Sequence, residues 1–200
     1  MAKIKGSELV GRALKNERVK NIFTLSGELS EIYDSCLDEG IKLIDMRHEQ
    51  AVANAATGYA MATGEPGVTM VTAGPGAINM AAGIAAAWYA CAPVVAICTS
   101  TPLYYTGKGA VQEFDSRDAY HPITKWRGYP TSTMRLPEYV ATAFRYATIG
   151  RKGPVLLDIP YDLLLLEVDK KDAPIVSPER YRTDARPYGD PQLVKKAVKW

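Results

Sequence analysis

Glu49 is the residue of this chain best placed to do chemistry. It stands in Arg47-His48-Glu49-Gln50-Ala51, where the pattern reads as the start of a helix. An acid in the first helical turn is favoured by the helix dipole by about 0.3–1 kcal/mol, which alone accounts for an acid there. A second feature follows one strand later, Thr72-Ala73-Gly74-Pro75-Gly76-Ala77-Ile78-Asn79, a Gly-Pro-Gly turn that opens another helix. Such turns can cradle a phosphate on a helix N-terminus, as in dinucleotide folds. That fingerprint asks for Gly or Ala where Asn79 stands, and for an acid about 20 residues on. No Asp or Glu occurs between Glu65 and Glu113, so the dinucleotide reading is set aside.

Other stretches carry polar groups in turns or loops: Ser26-Gly27-Glu28, Gly107-Lys108-Gly109-Ala110-Val111-Gln112-Glu113, His121-Pro122-Ile123-Thr124-Lys125-Trp126 and Gly150-Arg151-Lys152-Gly153-Pro154-Val155. Regular elements must position them. Ser7 can cap a helix with Leu9, Val10, Ala13 and Leu14 at helical spacing. Residues 21–25 read as a buried strand. A second helix follows, with Leu29, Ile32, Tyr33, Cys36 and Leu37 on one face, and Gly40 ends it. Residues 41–46 read as the next strand. The helix carrying Glu49 has small inner residues, Ala51, Ala53, Ala55, Ala56, Gly58 and Ala60, which allow close approach to a neighbour. Strands are expected at 68–72, 94–97 and 155–159, helices from Gly76 to about Tyr89 and over 138–149, and a long loop over 101–118. This alternation predicts an α/β fold of three layers, a mostly parallel sheet with helices on both faces and right-handed crossovers.

Composition sets the class. The chain has 200 residues, 47% of them hydrophobic and 23% charged, as suits a globular domain. A net charge of +2, with scattered basic residues, argues against nucleic acid and anionic membranes. Cys36, Cys91 and Cys98 are odd in number and lack Cys-x-x-Cys spacing, so free thiols in a reducing, cytoplasmic setting are expected. The N-terminus shows no secretory h-region. The uncharged run from 66 to 107 is rich in Ala and Gly and broken by Pro93, which argues against a membrane span. Between 170 and 190 prolines, charges and Gly189 suggest a linker. Asp190-Pro191 then caps a short amphipathic helix. The expected organisation is a domain over 1–168, a linker over 169–189, and over 190–200 the first helix of a further domain of a longer protein.

The order of these motifs resembles the pyrimidine-binding domain of thiamine-diphosphate enzymes of the acetolactate synthase type. The shared parts are strand, Arg-His-Glu-Gln helix, Gly-Tyr-Ala, Thr-Gly-x-Pro-Gly-Val, strand, Gly-Pro-Gly, the Gly-x-Gly-x-x-Gln-Glu loop and Gly-Arg-x-Gly-Pro-Val. The resemblance covers roughly residues 5–164. It implies that Glu49 hydrogen-bonds N1′ of the cofactor's aminopyrimidine. Sharing that proton makes the 4′-amino group acidic, which readies the thiazolium carbon as the nucleophile. It also implies that Gly27, Pro75, Asn79 and Gln112 line the cofactor pocket, and that Arg151 contacts a flavin (FAD) in those members that hold one. Mg²⁺ and the diphosphate would be held by a separate domain from a partner subunit, in a homodimer or homotetramer acting on small 2-oxo acids. His121 and Lys125 are candidates for contact with substrate or a neighbouring chain, and His48 reads as structural. Three positions depart from the family pattern: Glu28 replaces a usual Gly, Val111 a frequent Phe, and Tyr161 a usual Lys. A pyrimidine-binding subunit of a split 2-oxoacid decarboxylase and a non-catalytic interaction module remain as alternatives.

Overall fold

Short apolar runs bounded by Gly, Pro or Asn become strands here, and the small-residue and amphipathic runs between them become helices. The computed structural model describes residues 2–27, 29–183 and 188–200. In chain order the elements are β1 (Lys3–Lys5), α1 (Gly6–Asn16), β2 (Asn21–Thr24), α2 (Ser30–Asp38), β3 (Lys42–Asp45), α3 (Glu49–Thr63), β4 (Gly67–Val71), α4 (Pro75–Tyr89), β5 (Val94–Ser100), β6 (Arg127–Gly128), α5 (Leu136–Thr148), β7 (Val155–Pro160), α6 (Tyr161–Leu165), β8 (Glu167–Asp169) and α7 (Pro191–Val198).

Six strands form a parallel sheet in the order β3-β2-β4-β5-β7-β6. Alternate strand residues face opposite ways. Val68, Met70, Val95, Ile97, Val155, Leu157 and Ile159 pack with α1, α2 and α5. Val71, Val94, Ala96, Cys98 and Leu156 pack with α3 and α4. The three-layer α/β expectation is met, and the main sheet is wholly parallel.

Several local expectations are corrected. Ser7 does not cap α1: the cap position is Lys5 and the helix begins at Gly6. Ser7 is instead buried, and a side chain on Gly6 would strike the Leu163 carbonyl 1.9 Å away, so α6 sits directly on this helix start. Leu37 turns outward and is 54% exposed. Gly58 faces open space; Gly83 on α4 makes the close approach, since an added Cβ would lie 2.5 Å from Ala53 Cβ. Two pieces were too short to carry a periodic signal. One is the antiparallel pair β1–β8, with Ile4 opposite Val168. The other is the two-residue β6 at the sheet edge. Asp190 does cap α7, accepting from Gln192 N and Leu193 N. Cys36, Cys91 and Cys98 are free thiols. Among the described residues no helix is long and apolar enough to cross a membrane.

Candidate functional site

In a parallel sheet, loops that leave the carboxyl ends of the strands gather on one edge, and ligands bind where the strand order reverses. Here the reversal lies at β2, with β3 on one side and β4 on the other. Gly27 follows β2, Glu49 follows β3, and Gly74 to Asn79 follow β4. The long loop with Gln112 follows β5. Topology alone therefore brings Gly27, Glu49, Pro75, Asn79 and Gln112 to one edge.

Each is held by a local device. His48 is the N-cap of α3, its Nδ1 accepting from Gln50 N at 3.1 Å. That is a structural task, and it places Glu49 in the first turn. Asp45 Oδ1 at the end of β3 accepts from Ser26 N at 3.1 Å and fixes the turn before Gly27. Pro75 occupies the first turn of α4, where its missing N–H costs nothing. The turn before it needs Gly74, which has φ 56 and whose added Cβ would lie 2.5 Å from the Gln112 carbonyl.

Glu49 is 8% exposed. Asn79 Nδ2 donates to its Oε2 at 3.1 Å, and among the described residues nothing hydrogen-bonds Oε1. The space beside Oε1 is kept clear by glycine: an added Cβ on Gly76 would come to 3.4 Å from Oε1 and 3.0 Å from Thr72 Cγ2. Gly27 faces the same threonine, at 3.5 Å from Thr72 Cβ. A small planar ring with a nitrogen acceptor suits such a space, because one carboxyl oxygen can share a proton with it while the other is held by Asn79. Pro75 and Asn79 are exposed at the rim.

Next to this lies a cleft of about 330 Å³, lined in part by Ser30, Thr72, Ser100, Val111, Gln112 and Tyr161. This is near the lower end for small-molecule sites. Gln112 is exposed and adopts φ 59. Its loop is gathered by Glu113, whose carboxylate accepts from Gly107 N, Gly109 N at 2.8 Å and Ala110 N at 3.0 Å. Those N–H groups hold the Glu113 carboxyl below its usual range. Tyr161 Oη donates to Glu31 Oε2 at 2.8 Å across the cleft wall.

The remaining candidates are elsewhere. Arg151 precedes β7, on the opposite sheet edge. It donates to Trp88 O at 3.1 Å and to Cys91 Sγ at 3.2 Å, and its guanidinium lies 4.9 Å from the Trp88 ring centre. Asn79 and Trp88 stand at opposite ends of α4, roughly 13 Å apart along its axis. Lys125 Nζ donates to Ile149 O at 2.7 Å on that same far edge, and burial, then Arg151, lowers its pKa. His121 Nδ1 meets Arg127 Nη2 at 2.8 Å. Glu28 lies outside the described residues.

Sequence reasoning passed over Thr72, Ser30 and Asp158. The first two look like ordinary turn residues. Asp158 did carry a signal, a charge within the apolar run Val155-Leu156-Leu157-Asp158-Ile159. Among the described residues no group of three or more His, Cys, Asp and Glu is arranged to hold a metal.

The chain is 40% identical to a probable acetolactate synthase large subunit of Methanocaldococcus jannaschii, over 98% of this chain and 34% of that one. It is 40% identical to acetolactate synthase isozyme 2 large subunit of Escherichia coli, over 82% of this chain and 30% of the other. With the acetolactate synthase large subunit of Corynebacterium glutamicum the identity is 34%, over 97% and 31%. The chain thus spans about a third of the length of these relatives. Residues 4–119 match the family described as thiamine pyrophosphate enzyme, N-terminal TPP binding domain, and the chain belongs to that family.

Proposed function

We propose that this chain supplies the pyrimidine-binding half of a thiamine-diphosphate site in an acetolactate synthase-like enzyme acting on 2-oxo acids, with Glu49 as the group that activates the cofactor. The observation that carries this reading is the Glu49 carboxyl, buried at the start of α3, held on one oxygen by Asn79 and open on the other toward space cleared by Gly76. Bound there, the cofactor supplies a carbon nucleophile for the 2-oxo carbonyl. Glu49 holds a proton at the aminopyrimidine N1′, Asn79 keeps the carboxyl oriented, and Gly27 and Pro75 shape the wall. Gln112 and Tyr161 border the cleft through which substrate arrives.

Diphosphate and Mg²⁺ would be bound by another domain, contributed by a partner subunit in a homodimer or homotetramer, with residues 169–189 as a connector and α7 opening a further domain. Flavin is assigned no step, because its candidate contact Arg151 is committed to Trp88 and Cys91.

The test is Glu49→Gln in the enzyme complete with its diphosphate-binding domain. Loss of the shared proton should lower kcat by about 10²–10⁴, with folding and thermal midpoint retained. Turnover at the wild-type level would overturn the assignment.

A further inference from the structure

Asp158 is a charge inside an apolar strand. It is 1% exposed and pairs with Cys98 in the β5–β7 register. Ser116 Oγ, from the loop that carries Gln112, donates to its Oδ2 at 3.3 Å. Oδ1 is buried with no hydrogen bond of normal geometry among the described residues, and so are Ser100 Oγ and Thr101 Oγ1 beside it. These groups face a cavity of about 80 Å³ whose outer wall is the loop, through Glu113, Phe114, Asp115 and Arg117. Burial pushes the Asp158 carboxyl up to about 6, against the pull of Ser100, Arg117 and Ser116. The same loop sets the Gln112 backbone against Gly74, so its movement moves Gln112 relative to the cleft.

We propose that Asp158 is a positioning residue for the loop bearing Gln112, and that its charge sets how tightly this loop closes over the cleft. Closed, the loop seals the carboxyl from water; open, it lets water in. A carboxylate gains far more from hydration than a neutral acid does. Ionisation therefore favours the open loop and protonation the closed one.

The neighbours do not reverse this sign. Arg117 attracts the carboxylate and Asp115 repels it, but those two are paired with each other. Arg117 also lies over the Tyr129 ring, just past β6, at 4.1 Å. The Cys98 thiol on β5 and the Tyr120 hydroxyl are both pushed up by burial and stay neutral. Glu113, held low by loop N–H groups, loses its proton before Asp158 does.

The role in substrate access rests on the cleft reading proposed above; the loop motion does not. It is read by hydrogen exchange of amides 107–116 in the chain without cofactor, corrected for intrinsic rates. Going from about pH 5 to about pH 7.5, the wild-type loop should exchange about tenfold faster. Asp158→Asn should abolish that response and keep the slow rate at both pH values. Ser116→Ala should loosen the loop at both. A wild-type loop indifferent to pH, an Asp158→Asn loop that still responds or loosens, or a Ser116→Ala loop no looser than wild type would each overturn the proposal. So would loop amides that exchange no faster than those of β5 and β7, which would make the response one of the whole domain. No outcome depends on thiamine diphosphate, so the result stands apart from the Glu49→Gln test.

Discussion

Glu49 and Asp158 are both buried carboxyl groups, and their surroundings separate their tasks. Glu49 has one oxygen held by Asn79 and the other turned toward glycine-cleared space, the arrangement of a group that acts on a ligand. Asp158 is enclosed between β5, β7 and the loop, with a long hydrogen bond from Ser116 and Ser100 beside it. Its ionisation is costly to the fold. With the folded value raised from 3.8 to about 6, the native state binds more protons than the unfolded chain between those limits. The contribution of Asp158 to stability is therefore greatest below about pH 4, falls as pH rises toward 6, and stays lowered above it by about 3 kcal/mol at most. Asn keeps the shape, removes the charge and offers an N–H₂ to the buried Ser100 and Thr101 hydroxyls. Asp158→Asn should therefore raise unfolding stability near pH 7.5 by up to about 3 kcal/mol and change little near pH 4. Denaturant titration at the two pH values decides this. A loss of stability at pH 7.5 would mean that the carboxylate is better satisfied than its burial implies.

At the level of elements, the site depends on how α3 lies against α4, because Glu49 begins one and Asn79 lies on the other. Gly83 permits that contact: an added Cβ would meet Ala53 Cβ at 2.5 Å and Gln50 O at 2.8 Å. Gly83→Val should cost about 1–3 kcal/mol by overpacking and push apart the helices that carry Glu49 and Asn79. Gly58→Ala, on the same α3 but with nothing within 4 Å, should stabilise by about 0.5–1 kcal/mol. Thermal midpoints of the two variants read the contrast, and equal effects would refute the assignment of the close approach to Gly83. This contrast also shows what the sequence can reveal. The central strands β2, β4, β5 and β7 and the helices α3 and α4 were legible, because uninterrupted apolar runs and Gly or Pro boundaries need no tertiary information. The glycine that lets the helices touch was not, since Gly58 and Gly83 sit in equally small-residue company and only the packed pair separates them. The Glu49, Asn79 and Gly-Pro-Gly grouping was legible as motif order. Its hydrogen bond, and the placement of Arg151 on the opposite edge, needed the fold. Short pieces such as β6 and β1–β8 gain order from their partners and carry too few residues for a pattern.

For the molecule as a whole, the open question is how the chain beyond β8 is tied to the domain. Residues 176–182 lie back against the end of α1. Asn16 Nδ2 donates to Val176 O at 2.8 Å, Arg18 pairs with Glu179 at 2.7 Å, and the Glu17 carboxylate takes Arg182 at 2.5 Å and the Tyr181 hydroxyl. The exposed Arg18–Glu179 pair is worth little. The Glu17–Arg182 pair differs, because the Glu17 side chain is 1% exposed and that of Arg182 21%. Burial raises the Glu17 pKa, with Tyr181 and Arg182 opposing. Removing one partner strands a buried charge, whereas replacing both with apolar groups removes the desolvation cost along with the attraction. Arg182→Ala should therefore cost about 3 kcal/mol, a fall of roughly 6–12 °C in thermal midpoint for a chain of this size. The double replacement Glu17→Met with Arg182→Met should fall close to wild type. It should also free residues 176–182 to exchange more readily, since apolar contacts fix direction less strictly than an ion pair. A double variant as unstable as Arg182→Ala would place the stabilisation in the pair itself, and this tie would then hold the domain together as well as setting where the chain leaves it.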